Sequence, residues 1–154
     1  MKAKDNTFSV EKAEDSSGFL LWQVTTLWQR KIKNALEQYE LTHSQYVLLA
    51  SLHWLRLHNK EVTQIVLSKH SKIDPMTTSM VLKTLQKKGF ISRKEHLTDT
   101  RAKTIDITKQ GKETVKKAIV TVENIDREFF AILKNNLNAF NKRLITLIKN
   151  QAPR

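Results

Sequence analysis

The stretch TQIVLSKHSKIDPMTTSMVLKTLQKKG, residues 63–89, decides how the rest of the chain is read. Thr63 follows the apolar Val62, the pattern of a hydrophobic staple residue and an N-cap, and it predicts a short helix to about His70. After Ser71-Lys72-Ile73 comes Asp74-Pro75. The aspartate can accept from the first backbone N–H groups of a helix, and proline at the first helical position loses nothing by lacking its own. That second helix runs to Lys88 and stops at Gly89, a residue suited to a left-handed C′ position. Two short helices joined by a tight turn, with lysines at 69, 72, 83, 87 and 88, have the organisation of a helix-turn-helix.

On the second of these helices Thr78, Val81, Leu82 and Leu85 fall on one face and are expected in the core. The opposite face carries Pro75, Met76, Thr77, Ser79, Met80, Lys83 and Lys87. Apolar and hydroxyl side chains at a helix N-terminus suit thymine methyls, base edges and phosphates. The competing reading is that Met76 and Met80 fill an imperfect core. Their offset from the apolar stripe favours DNA.

Downstream the hydrophobic period changes. Phe90, Ile91 and Arg93 lead to the polar His96-Leu97-Thr98-Asp99-Thr100-Arg101, and Lys103-Thr104-Ile105-Asp106-Ile107 then alternates with β-branched residues. Two strands around a basic tip, directly after a helix-turn-helix, make a wing. Thr108 caps a long helix to about Asn135, with Val115, Ile119, Val122, Ile125, Phe129 and Leu133 on one stripe. A last helix holds Leu137, Phe140, Leu144, Leu147 and Ile148. Upstream, a helix from Phe19 to Tyr39 is capped by Ser16 or Ser17, and Thr42 with Gln45 forms a capping box for a helix to about Leu57. The apolar stripes of the terminal helices have nothing to cover in a lone winged lobe, and a second copy of the chain is the economical cover.

The expected fold is therefore mainly α with a small β-hairpin wing. Its parts are a polar arm over residues 1–17, a helical dimerisation region over 18–40 and 108–150, and a winged helix-turn-helix lobe over 41–107.

Composition narrows the function. The chain has 154 residues, enough to bury about 68–70% of its unfolded surface in one domain. It has no cysteine, which excludes disulfides, thiol nucleophiles and thiolate metal sites. No apolar run approaches a membrane span, and the first residues lack the apolar core of a secretory signal, so a cytoplasmic protein is expected. There are 27 basic and 15 acidic residues, a net charge of +12. Residues 1–59 carry only +1 of it, so the excess begins with the helix-turn-helix. A field of this kind points to a polyanion.

Enzymatic motifs are missing: there is no glycine-rich phosphate loop, GxSxG elbow or HExxH. The histidines at 43, 53, 58, 70 and 96 contain no pair spaced to chelate from one helix face. No catalysis, metal or cofactor is expected. A nonspecific architectural nucleic-acid binder is the stronger rival, although a wing and a capped recognition helix are superfluous for purely electrostatic binding. A basic membrane-surface binder is the weaker one.

Four stretches in order resemble the MarR (multiple antibiotic resistance regulator) family of bacterial transcription factors. They are Gly18-Phe19-Leu20-Leu21-Trp22, then Leu41-Thr42-His43-Ser44-Gln45-Tyr46, then Asp74 to Gly89, and finally Asp99-x-Arg101 with Ile107-Thr108-x-x-Gly111. The resemblance spans about Gly18 to Ile148. It implies a homodimer of winged lobes on pseudo-palindromic operators, usually a repressor, with double-stranded DNA as partner and release triggered by a small molecule entering the cleft between lobe and dimerisation region. It also implies that Arg101 enters the minor groove and that Asp99 holds its direction, with His96, Thr98 and Lys103 beside them on the wing. Many members are basic where this chain has Pro75 and Met80, so the family's base preference does not carry over. For the effector, Trp22 lies off the core stripe, and Tyr46 and His53 share one helix face. These three are expected either to line a pocket for a planar aromatic acid or to pack in the dimer.

Overall fold

The computed structural model describes residues 5–58, 60–95 and 103–151. In chain order the elements are α1 (Ser17–Leu36), α2 (His43–Leu57), α3 (Gln64–Ser71), α4 (Pro75–Lys87), β1 (Ile91–Glu95), β2 (Lys103–Ile107), α5 (Lys109–Phe130) and α6 (Leu137–Lys149). The chain is mainly α with a two-strand antiparallel hairpin, the class its sequence predicts.

Local side-chain chemistry starts five of the six helices. Ser16 Oγ accepts from Phe19 N at 3.3 Å, Thr63 Oγ1 from Val66 N at 3.2 Å, Asp74 Oδ1 from Thr77 N at 2.8 Å and Thr108 Oγ1 from Gly111 N at 3.0 Å. Thr42 and Gln45 complete the reciprocal box, at 3.2 Å in one direction and 3.1 Å in the other. Each bond satisfies a backbone donor that the helix itself leaves open. Asn136, before α6, makes no such side-chain bond.

Helix α2 is the centre of the core. Its Leu48, Leu49 and Leu52 are buried with Ile32 and Leu36 of α1, Leu67 of α3, Leu82 and Leu85 of α4, Ile105 of β2, and Val115 and Ala118 of α5. In the wing, Ile91 pairs with Ile107 and Arg93 with Ile105. Thr63 forms an additional antiparallel bridge to Thr104, and Ile105 N donates to Val62 O at 2.8 Å. The residues that launch α3 thus also pair with the edge of the wing. Thr63 is more than the cap its sequence context suggests.

Helix α5 is seated by Thr108 and Gly111. Thr108 N and Oγ1 donate to Phe90 O and Gly89 O, at 3.0 and 2.6 Å. A Cβ at Gly111 would lie 2.1 Å from Phe90 O, so the helix approaches the strand backbone as closely as it does only because residue 111 has no side chain.

Two element ends differ from expectation. Helix α1 stops at Leu36, and Glu37–Tyr39 is a 3₁₀ turn closed by Glu40 in the left-handed region. Helix α5 stops at Phe130 rather than near Asn135. The 3₁₀ segment Ala131–Asn136 follows, with Lys134 at φ 49. This bend sets Phe140 of α6 against Phe130, with ring centroids 5.8 Å apart. Apart from such contacts α6 buries no residue, although its apolar and polar positions segregate cleanly.

Candidate nucleic-acid interface

The turn between α3 and α4 is held by the backbone groups of Ile73. Its N–H donates to Ser71 Oγ at 3.2 Å, and its carbonyl accepts from Ser68 Oγ at 2.6 Å and Thr78 Oγ1 at 3.3 Å. Ser68 and Thr78 are both buried, so this small network fixes the angle between the two helices from inside. Lys72 takes the left-handed conformation that closes α3. Spacing alone puts Thr78 on the buried face; its hydroxyl bond is what makes that burial tolerable.

The other face of α4 is open. Met76 is 76% exposed and Met80 63%, which removes the core-filling reading of both. Lys83 and Lys87 continue their stripe, Pro75 and Thr77 are exposed, and Ser79 is half-buried. Asp74 accepts from both the N–H and the hydroxyl of Thr77, which holds its carboxyl below the usual aspartate range. Lys88 is different from its neighbours. Its ammonium donates to Gln45 Oε1 at 2.9 Å and to Glu40 O, which ties the end of α4 to the start of α2.

Arg93 of β1 braces the wing against the helix-turn-helix. Its Nε donates to Gln86 Oε1 of α4 at 3.0 Å, and its Nη1 to Gln64 Oε1 of α3 at 3.4 Å. Arg56 of α2 lies 3.4 Å from Asp106 of β2 on the other side. Neither Arg93 nor Lys88 stands out in the sequence, where each is one basic residue among many. Lys103 is exposed at the start of β2. The expected contacts His96, Thr98, Asp99 and Arg101 lie outside the described residues, in the segment that joins β1 to β2.

The three residues expected in one effector pocket are not brought together. Tyr46 and His53 line a cleft of about 460 Å³ between α2, α3 and α5, with Trp54, His70, Lys116 and Glu123. Trp22, 70% exposed, borders a separate groove of about 780 Å³ with Arg30, Lys33 and His43. Trp22 shares its groove with Leu41, Thr42 and His43 at the N-terminal end of α2, whereas Tyr46 and His53 face His70 of α3 and Lys116 and Glu123 of α5. Helix α1 and the 3₁₀ turn that follows it are joined to α5 by two side-chain bonds: Trp28 Nε1 donates to Asp126 at 2.8 Å and Tyr39 meets Thr121 at 2.6 Å.

The cleft carries charges of both signs, Lys116 acting on His53 and Glu123 on Tyr46. Burial first, then the positive charges of Lys112 and Lys116, holds buried His53 below the ordinary histidine value of 6.5. Burial, helped by Asp126 and Glu123, pushes the Tyr46 phenol up to about 12. Burial also lowers His43, against the opposing charge of Asp126. As pH falls below 6.5, the unfolded chain takes up protons at positions 43 and 53 that the folded chain refuses. The stability from keeping these imidazoles neutral is complete above 6.5 and declines toward their depressed folded values. Melting temperature measured from pH 7.5 down to 5 should therefore drop, and His53→Gln should flatten the drop. An unchanged slope in that variant would remove His53 as a cause.

A capped helix with an open face, set behind a buried turn and clamped beside a β-hairpin, defines a winged helix-turn-helix protein. The chain belongs to the winged-helix HTH-type transcriptional regulators, and its fold is the one seen in solved MarR-family regulators. The family profile described as "ArnR1-like, winged-helix domain" matches residues 37–126. The chain is 43% identical over 136 residues to the uncharacterized HTH-type transcriptional regulator YdcH of Bacillus subtilis (strain 168), a match covering 88% of this chain and 92% of that one. Its fold is similar to MepR of S. aureus, solved as a DNA complex, at TM-score 0.79 and 21% identity, covering 90% of this chain and 98% of that one. It is likewise similar to a MarR-family regulator from Rhodococcus sp. RHA1, at 0.78 and 21%, covering 90% and 96%. CouR from Rhodococcus jostii RHA1, bound to p-coumaroyl-CoA, matches at 0.79 and 19%, covering 94% and 100%. Among the described residues, no helix is long and apolar enough to cross a membrane, and no group of three or more histidine, aspartate or glutamate side chains is arranged to hold a metal ion.

Proposed function

We propose that this regulator is a homodimeric, sequence-specific repressor whose α4 enters the DNA major groove while the wing reaches the adjacent minor groove. The observation that carries the reading is the open face of α4, where Met76, Met80, Lys83 and Lys87 form one exposed stripe on a helix whose other face is sealed in the core. Pro75, Thr77 and Ser79 flank that stripe, and Lys103 stands at the wing. The solved relative MepR, crystallised with DNA, supports this mode of use. The test is the ratio of affinities for a duplex selected from genomic DNA and for random DNA at one salt concentration. A ratio of about a thousand or more is expected. A ratio near one would favour a nonspecific architectural role.

The dimerisation region comprises residues 18–40 and 108–150. Phe19, Leu20, Leu21 and Leu27 of α1 are 43–55% exposed in the single chain, and Ile145, Leu147 and Ile148 of α6 are 48–59% exposed. Apolar surface on this scale, carried by two helices at the ends of the chain, is covered when two copies pair. Obligate interfaces of this kind commonly bury about 2,000 Å² or more. Light scattering at micromolar concentration should give twice the chain mass, and Leu147→Asp should yield monomer or aggregate. A monomeric wild-type chain would refute the assembly.

Effector control is assigned to the cleft of Tyr46 and His53. Aromatic walls, Lys116 and a neutral imidazole suit a planar carboxylate, and CouR, solved with an aromatic acyl-CoA, supports ligand control in this fold. Benzoate or salicylate at millimolar concentration should raise the melting temperature and weaken operator binding. If neither moves, the cleft is not an effector site.

A further inference from the structure

The outward stripe of α4 is unusual in what its side chains can offer to a base edge. It begins with Met76 and Met80, four residues apart, and only then reaches the ammonium groups of Lys83 and Lys87. Neither methionine carries a hydrogen-bond donor, and a thioether sulfur is a weak acceptor. Two of the flanking hydroxyls are engaged within the helix: Thr77 Oγ1 donates to Asp74 Oδ2 at 2.7 Å, and Thr84 Oγ1 to Met80 O at 3.4 Å. The third belongs to Ser79, which is half-buried. The nearby amide and guanidinium groups are also committed. Gln86 and Gln64 each give their side-chain oxygen to Arg93, and Gln45 gives its own to Thr42 N and Lys88.

Purine edges in the major groove are read by bidentate pairs, arginine on guanine and asparagine or glutamine on adenine. The N-terminal half of α4 presents none of these. The one apolar group that a base pair shows in that groove is the C5-methyl of thymine. We infer that α4 selects its operator through thymine methyl groups, which Met76 and Met80 bury, while Lys83 and Lys87 hold the helix on the backbone. Unbranched and polarizable, the two methionine side chains follow the uneven relief of methyls along a groove. The half-site under α4 is accordingly thymine-rich, and its specificity comes from shape and methyl burial.

This inference rests on the DNA-binding reading above, and the experiment separates the two. The full-length chain is used to select a duplex from a random pool, and the positions under α4 are located by footprinting. Deoxyuridine then replaces thymidine at those positions, which removes the methyl and keeps the base pair. Each methyl removed should weaken binding about fourfold. The same replacement outside the footprint of α4 should change nothing. The Met76→Ala, Met80→Ala double variant, altered only at exposed positions, should bind the thymidine duplex more weakly but lose little further on the deoxyuridine duplex. At the same positions, 5-methylcytosine should be bound more tightly than cytosine. Equal binding of the thymidine and deoxyuridine duplexes overturns the inference. So does a methionine variant that loses the same factor on both, because the methionines would then act on DNA without touching the thymine methyls. If the pool yields no enriched sequence, the sequence-specific reading itself fails and this inference fails with it.

Discussion

Alanine at Gly111 will lower the melting temperature by about 6–12 °C at fixed protein concentration, a loss of about 3 kcal/mol for a chain of this length. Helix propensity alone predicts the reverse, since alanine is favoured over glycine by about 1 kcal/mol in a helix interior. The close approach to the wing decides otherwise. The new Cβ would stand 2.1 Å from Phe90 O and 2.9 Å from Phe90 C, both backbone atoms that cannot rotate away. Overpacking of this kind costs about 1–3 kcal/mol and occasionally more. Relief requires α5 to lift from the strand, which breaks the bonds from Thr108 to Phe90 O and Gly89 O. Thermal unfolding by circular dichroism checks the expectation. A variant as stable as wild type would mean that α5 is not seated on the wing by this contact.

Alanine at Arg101 should do the opposite: it should leave folding and dimerisation intact and weaken operator binding by about 1–3 kcal/mol. The reasoning starts from charge. Narrow A·T-rich minor grooves concentrate negative potential and draw in guanidinium groups. The segment that carries Arg101 joins two strands whose register is set by the Ile91–Ile107 and Arg93–Ile105 pairs, and Arg93 clamps that hairpin to α3 and α4. In the proposed complex α4 lies in the major groove, and Arg101 is the residue expected to reach the adjacent minor groove. Asp99→Ala should act in the same direction but more mildly, by releasing the direction of the arginine. As a solvent-exposed ion pair alone, Asp99 and Arg101 would contribute about 0–1 kcal/mol to stability and nothing to DNA affinity. Operator titrations at physiological salt distinguish the two readings. Wild-type affinity in Arg101→Ala would remove the central minor-groove contact from the mechanism.

What the sequence by itself determined is local. Ser16, Thr42 with Gln45, Thr63, Asp74 with Pro75, and Thr108 place five helix starts, because a capping bond spans only three residues and needs no knowledge of the rest of the fold. The apolar spacing that buries Thr78, Leu82 and Leu85 and exposes Met76 and Met80 follows from the helical period of one segment. Gly89, at φ 79, ends α4 for an equally local reason. Tertiary structure decided whatever depends on partners distant in sequence. Arg93 meets Gln64 across 29 positions and Lys88 meets Gln45 across 43, and nothing in the residues flanking a lysine or arginine announces which amide it will face. Pairing of Thr63 with Thr104 lies beyond periodicity for the same reason. Trp22 and Tyr46 are both aromatic residues of neighbouring helices, yet the packing of α2 on α3 and α5 sets Tyr46 in one depression and leaves Trp22 in another. Apolar spacing that continues through Leu133 puts the end of α5 about five residues too late. The 3₁₀ segment Ala131–Asn136, with Lys134 at φ 49, ends the helix there and turns Phe140 back against Phe130, a partner ten residues away that the apolar spacing does not announce.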